Sequence, residues 1–123
     1  MPSHLVAVVD DDASVRRALT RLLQSAHLRV LTYASAAEFL DNGIGSAPEC
    51  LILDIHLGGM SGLALLSRLR ELGHNLPVLI ITAHDDAQAR ESAARGGCVA
   101  YLRKPLDAKL LLEEVATAMK RAA

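Results

Sequence analysis

Short apolar runs and helical stripes alternate along the 123 residues of this chain. Five runs read as strands: Leu5 to Val9, Leu28 to Tyr33, Cys50 to Asp54, Pro77 to Thr82 and Cys98 to Leu102. The run from Cys50 to Asp54 is short, apolar and bounded by turn residues, as a strand buried on both faces should be. The segments between the five runs carry the helical period instead. Val15, Ala18, Leu19, Leu22, Leu23 and Ala26 form one stripe, with Arg16, Arg17 and Arg21 opposite. Asp12 is placed to cap that helix. Ser35-Ala36-Ala37-Glu38 is a capping box opening a short helix that closes near Gly43, and Asn42 to Pro48 reads as loop. Leu63, Leu66, Leu69 and Leu72 give the third stripe, ended by Gly73. Asp85-Asp86-Ala87-Gln88 caps a fourth helix running to Arg95, stopped by Gly96-Gly97. Leu111, Val115, Ala118 and Met119 mark the last helix, to about Lys120.

Five β-α units in succession, without a repeat or a low-complexity tract, predict an α/β fold with a parallel sheet covered on both faces. Right-handed crossovers favour a flavodoxin-like, doubly wound (βα)5 arrangement with strand order 2-1-3-4-5. Residues 1–123 are expected to form a single domain.

Composition narrows the function more than the fold. Hydrophobic residues make up 51 % of the chain, with one Phe, two Tyr and no Trp, so the core is aliphatic. A net charge of −1 gives no electrostatic reason to expect nucleic acid or an anionic membrane as a partner. No apolar run approaches the ~18 residues that span a bilayer. No basic-then-apolar leader opens the chain. Cys50 and Cys98 lack CxxC spacing and read as reduced buried thiols, consistent with a cytoplasmic location.

The chemistry gathers where strands end. In the expected topology strands 1, 3, 4 and 5 lie side by side, and their carboxyl ends carry Asp10-Asp11, Asp54, Thr82 and Lys104. Ligands of open parallel sheets collect at such ends. Three carboxylates near one point repel unless a cation neutralises them, and oxygen ligands with open water positions suit Mg²⁺ or Mn²⁺. A carboxylate is a competent nucleophile toward phosphorus. A metal and a lysine would neutralise charge on the transferring group, and Thr82 could donate a hydrogen bond to it.

Asp10-Asp11, Asp54, Thr82-Ala83 and Lys104-Pro105, in this order and on these elements, resemble the receiver domain of two-component response regulators. The likeness covers the whole chain. Val9-Asp10-Asp11-Asp12 with Val15-Arg16-Arg17, the run Tyr33-Ala34-Ser35-Ala36, and Thr82-Ala83-His84 are most similar to the FixJ/NarL-type transcription regulators. The resemblance implies that Asp54 accepts a phosphoryl group from a sensor histidine kinase or a phosphotransfer protein. It implies Mg²⁺ on Asp10, Asp11, Asp54 and the backbone carbonyl of His56, with Lys104 contacting the phosphoryl group, often before a cis proline. Thr82 would move toward the phosphate and Tyr101 would rotate inward behind it. The switched face is that of the fourth helix, fifth strand and fifth helix, which would mediate a phosphorylation-dependent homodimer. Ala87, Ala89, Ala93 and Ala94 would permit close approach there.

Two features depart from the family or stand apart within it. Gly58-Gly59 replaces the proline usual four residues after the phosphoacceptor, predicting a more flexible loop. His56 and His84 each lie two residues beyond a site residue, at positions that in the family border the phosphoryl group and modulate its hydrolysis. Protonated imidazoles there would slow or reorient the attacking water. An enzyme is the principal rival reading. Asp10-Asp11-Asp12 superficially resembles the DxD nucleophile motif of haloacid-dehalogenase-type phosphatases, but Ala13-Ser14 follows where Gly-Thr is normal. A degenerate interaction module conflicts with the complete residue set. A nucleotide-binding flavodoxin-like protein conflicts with the lack of GxGxxG and GxxxxGK. The expected role is therefore a phosphoacceptor signalling domain, not an enzyme beyond its self-catalysed phosphotransfer and autodephosphorylation. It would control transcription through a domain outside this chain, or act as a stand-alone receiver, relay or phosphate sink.

Overall fold

Apolar side chains on alternate sides of the same strands explain how the molecule is layered. The computed structural model describes residues 4–84 and 86–122, with side chains to residue 120. The elements run β1 (Leu5–Val9), α1 (Ala13–Ser25), β2 (Arg29–Tyr33), α2 (Ala36–Glu38), β3 (Cys50–Asp54), α3 (Gly62–Glu71), β4 (Val78–Thr82), α4 (Ala87–Arg95), β5 (Ala100–Arg103) and α5 (Ala108–Ala122). The five strands are parallel in the order β2-β1-β3-β4-β5, as the sequence predicts.

One face of the sheet contributes Ala7, Val9, Leu51, Leu53, Val78 and Ile80 to a core shared with Phe39, Leu65, Leu66, Leu69 and Ala93. The other contributes Val6, Val8, Cys50, Ile52, Leu79 and Ile81, packed on Leu19 and Leu23 of α1 and Leu111, Val115 and Ala118 of α5. Period-two alternation with both faces apolar gives the unbroken runs seen in the sequence. Every residue of β1, β3 and β4 is buried, whereas β2, at the sheet edge, has no fully buried residue.

Helix ends follow their capping chemistry. Asp12 accepts from the N–H groups of Ser14 and Val15, so α1 opens two residues before the first apolar position of its stripe. Glu38 N–H bonds Ser35 Oγ, and Glu38 Oε2 reaches back to Ala34 N–H. Past Gly73 (φ 82°), His74 N–H bonds the Leu69 carbonyl and Gly73 N–H that of Arg70, a Schellman ending for α3. Asp86 caps α4; Asp85, expected beside it, lies outside the described residues.

Four expectations are corrected. The loop from Asn42 contains a π-helical turn, Phe39–Gly43, and a 3-10 turn, Ile44–Ser46. A Cβ on Gly43 would sit 2.2 Å from the Phe39 ring, so glycine admits that ring to the core. Leu72 is 46 % exposed, while Leu65 is buried. Nine residues at 100° each carry Leu72 to the side of α3 opposite Leu63, so a strict three-residue repeat leaves the core face. Ala93 is buried in the chain's own core and offers nothing to a partner. Cys98 is half-buried; only Cys50 is fully enclosed, and burial pushes its thiol up to about 12.

Candidate functional site at the carboxyl ends of the strands

Register builds the site. Val9 pairs with Leu53, so Asp10 and Asp54 are the next residues on adjacent strands. Asp54 pairs with Ile81, which places Thr82 one step further, and Thr82 pairs with Arg103, which places Lys104 one step further again. The backbone stays paired to the rim. Asp10 N–H bonds Tyr33 O at 3.1 Å, Ile55 N–H bonds Ile81 O at 3.2 Å and Lys104 N–H bonds Thr82 O at 2.8 Å. The side chains at this rim are therefore set by rigid strands.

Asp10 and Asp54 are buried and Asp11 is exposed. One carboxylate oxygen from each lies within 4.8 Å of the others. Lys104 Nζ joins the buried pair, at 2.9 Å from Asp10 Oδ2 and 3.4 Å from Asp54 Oδ2. Asp54 Oδ1 accepts from His56 N–H at 3.1 Å, and Asp10 Oδ1 accepts from Asp12 N–H at 2.9 Å. Burial holds the Asp54 carboxyl above the ordinary carboxylate range; the Asp10 charge adds to this, while the His56 N–H and Lys104 oppose it. Burial also disfavours the Lys104 ammonium, yet its bond to Asp10 and the charges of Asp10 and Asp54 outweigh that and raise its pKa.

The donor set fits a hard divalent cation. Oxygens around an octahedral Mg²⁺ stand about 3 Å apart when adjacent and about 4.2 Å when opposite, at the usual ~2.1 Å bond length. The common limit of 4.8 Å on the three carboxylates is close to that range. The Lys104-Pro105 peptide is cis, as the resemblance implies.

Thr82 is buried with its hydroxyl turned to its own loop. It donates to the His84 carbonyl at 2.9 Å and accepts from His84 N–H at 3.1 Å. Tyr101 is half-buried with its hydroxyl oxygen shielded from solvent, and the Arg90 guanidinium lies 5.0 Å above its ring. His56 and His84 are exposed, and their rings meet edge to face at 5.4 Å between centroids. All eight residues singled out in the sequence thus lie at or just behind one end of the sheet.

Sequence reasoning missed two supports of this site. Arg16 Nη1 donates to the Asp10 carbonyl at 2.7 Å, reaching back from α1. Gly62 N–H bonds Ile55 O at 2.9 Å, and a Cβ on Gly62 would stand 2.1 Å from Asp54 O. Only glycine lets α3 start against the strand end that carries Asp54. Its place directly after the Ser61 cap was a legible signal of a helix start, but not of a close approach.

Comparison with known proteins agrees with this geometry. The response regulator receiver domain family matches residues 6–116. Nodulation protein W of Bradyrhizobium diazoefficiens is 39 % identical over 117 residues, 95 % of this chain and 52 % of that protein. The transcriptional regulatory protein FixJ of Azorhizobium caulinodans is 37 % identical over 124 residues, 100 % of this chain and 59 % of its own length. The solved structure of a response regulator receiver protein from Burkholderia phymatum superposes with a TM-score of 0.82 at 45 % identity, covering 96 % of each chain. The chain spans 52 % and 59 % of the length of these two curated relatives. No described helix is long and apolar enough to cross a membrane. By its fold, its acidic rim and these matches, the chain belongs to the response regulator receiver domain family, whose members are signalling domains of two-component systems.

Proposed function

We propose that Asp54 is the phosphoacceptor and that residues 1–123 act as one receiver unit in the cytoplasm. The observation that carries this reading is the convergence of Asp10, Asp11 and Asp54 oxygens within 4.8 Å, with Lys104 Nζ between the two buried carboxylates. An Asp54 oxygen attacks the phosphorus of a phosphohistidine on a sensor kinase or phosphotransfer protein. The phosphorus–nitrogen bond breaks as the phosphorus–oxygen bond forms, and the histidine nitrogen leaves with the electron pair. Lys104 exchanges a carboxylate partner for a phosphoryl oxygen, keeping its charge compensated. Mg²⁺ held by Asp10, Asp11, Asp54 and the His56 carbonyl would supply the remaining neutralisation.

The response uses the other side of the site. Thr82 gives up its bond to the His84 carbonyl and donates to the new phosphoryl group, and Tyr101 packs behind it. The β4–α4 loop then re-forms and biases the α4–β5–α5 face toward self-association. The likeness to regulators such as FixJ favours transcription as the output, through a segment beyond these residues.

Acetyl phosphate with Mg²⁺ tests the assignment. The parent chain should gain one phosphoryl group, mapped to Asp54 and lost in Asp54→Asn. Label on Asp10 that survives Asp54→Asn would overturn it in favour of phosphatase-like chemistry. Sedimentation with and without beryllofluoride tests the dimer, and an unchanged mass at high concentration counts against it.

A further inference from the structure

The His56–His84 contact brings two exposed side chains with metal-ligating nitrogens together at the rim of the site. Both imidazoles are exposed, and each comes from a different loop, β3–α3 and β4–α4. An edge-to-face pair in open water buries little surface and contributes at most about 1 kcal/mol. Its spacing matches something else. Two imidazoles bound to one tetrahedral Zn²⁺ at 2.0–2.1 Å place their ring centroids roughly 5.2 Å apart. The observed separation is 5.4 Å. Exposed rings re-aim their nitrogens by side-chain rotation alone, and Gly58-Gly59 directly downstream gives the His56 loop room to adjust.

We propose that His56 and His84 form a two-histidine site for a borderline divalent cation of the Zn²⁺ class. This site stands beside the all-oxygen site of Asp10, Asp11 and Asp54 and is chemically distinct from it. Imidazole nitrogen suits Zn²⁺, Cu²⁺ and Ni²⁺, whereas Mg²⁺ keeps to oxygen, so both sites fill together. Water completes the coordination of the second ion. The bound ion ties the β3–α3 loop to the β4–α4 loop, so the segment that Thr82 holds through His84 is fixed to the loop that follows Asp54.

Zn²⁺ titration calorimetry in excess Mg²⁺ tests this, because Mg²⁺ occupies the carboxylates. The parent should bind one Zn²⁺ per chain. Both ligands act as one chelate, so His56→Ala and His84→Ala should each weaken binding by roughly a hundredfold, and the double variant little further. His4, which meets Glu49 at 2.6 Å, is the control, and His4→Ala should bind as the parent does. Both site histidines are exposed, so the variants keep the fold, as circular dichroism would verify. Zn²⁺ binding that persists in the double variant, small additive losses, displacement by Mg²⁺, or no binding to the parent would each overturn the proposal. A second readout is slower labelling of Asp54 by acetyl phosphate when Zn²⁺ is bound. That consequence rests on the phosphoacceptor reading, whereas the calorimetry does not, so the two can fail separately.

Discussion

α3 and α4 flank the same site and are built in opposite ways. α3 buries Gly62, Leu65, Leu66 and Leu69, starts hard against Asp54 O and ends in a Schellman turn. α4 buries Ala93 alone. The strands that follow them differ in the same sense, with β4 wholly buried and β5 only partly so, Arg103 at its end being exposed. The half of the rim that holds the carboxylates is over-determined by packing and strand hydrogen bonds. The half that carries Thr82, Tyr101 and α4 rests on side-chain contacts that can be exchanged. Local stability follows buried apolar contact, so a shift confined to α4 costs little while Asp54 stays in place. On the roles proposed above, chemistry and response would fall to regions of different rigidity.

The largest test of this contrast is truncation in the two helices. Leu69→Ala in α3 should cost about 2–5 kcal/mol by denaturant unfolding, the range for a fully buried leucine. Glu91→Ala in α4 should stay within about 0.5 kcal/mol, since its ion pair with Arg95 is exposed. Equal losses would break the comparison. Next, Gly62→Ala should cost about 1–3 kcal/mol, because the new methyl meets backbone that cannot give way. It should also slow Asp54 labelling. Gly96→Ala clashes with the Leu66 side chain, at 2.6 Å, and meets the Ala93 carbonyl only at ordinary contact distance, so it should cost less.

Asp54→Asn probes the electrostatic strain of the rigid half. The folded-state pKa of Asp54 is raised, so its contribution to stability is present below the unfolded value near 3.8 and is lost as pH rises through the folded value. At neutral pH the ionised carboxylate is a burden, and Asp54→Asn should stabilise the metal-free protein. Thermal melts should show this gain shrinking toward pH 4 and in excess Mg²⁺. A gain independent of pH would remove the electrostatic cause.

Arg90→Ala loses the cation over Tyr101 and should cost about 0.5–1 kcal/mol, with a larger effect on beryllofluoride-induced association than on unfolding. Smallest is Gly58→Pro. Gly58 lies outside the left-handed region and a Cβ there would meet no atom within 4 Å, unlike Gly59 at φ 74°. The substitution should stabilise by roughly 0.4–1 kcal/mol through the unfolded state while stiffening the loop. If labelling of Asp54 also changes, loop flexibility is part of the chemistry. If stability alone changes, Gly58 is a neutral departure from the family.

What the chain declares by itself is what depends on local pattern. Doubly buried strands must be apolar from end to end, so β1, β3 and β4 are unmistakable, and the residue that breaks each run falls at the rim. Asp12, Ser35 and Asp86 announce helix starts because capping is a contact within three residues. Family likeness then gives the rim residues their roles. The tertiary structure decided whatever depends on neighbours distant in sequence. The side of α3 that holds Leu65 and not Leu72 follows from helical period alone, but which side meets the sheet was the structure's to decide. It took Ala93 away from any partner and wound Phe39–Gly43 into a π-helical turn around one aromatic ring. It set Gly62 against Asp54 O and Arg16 on the Asp10 carbonyl, and brought two histidines 28 residues apart in sequence to 5.4 Å. Such contacts leave no periodic trace, because each joins two points whose spacing along the chain carries no information until the sheet register has placed them together.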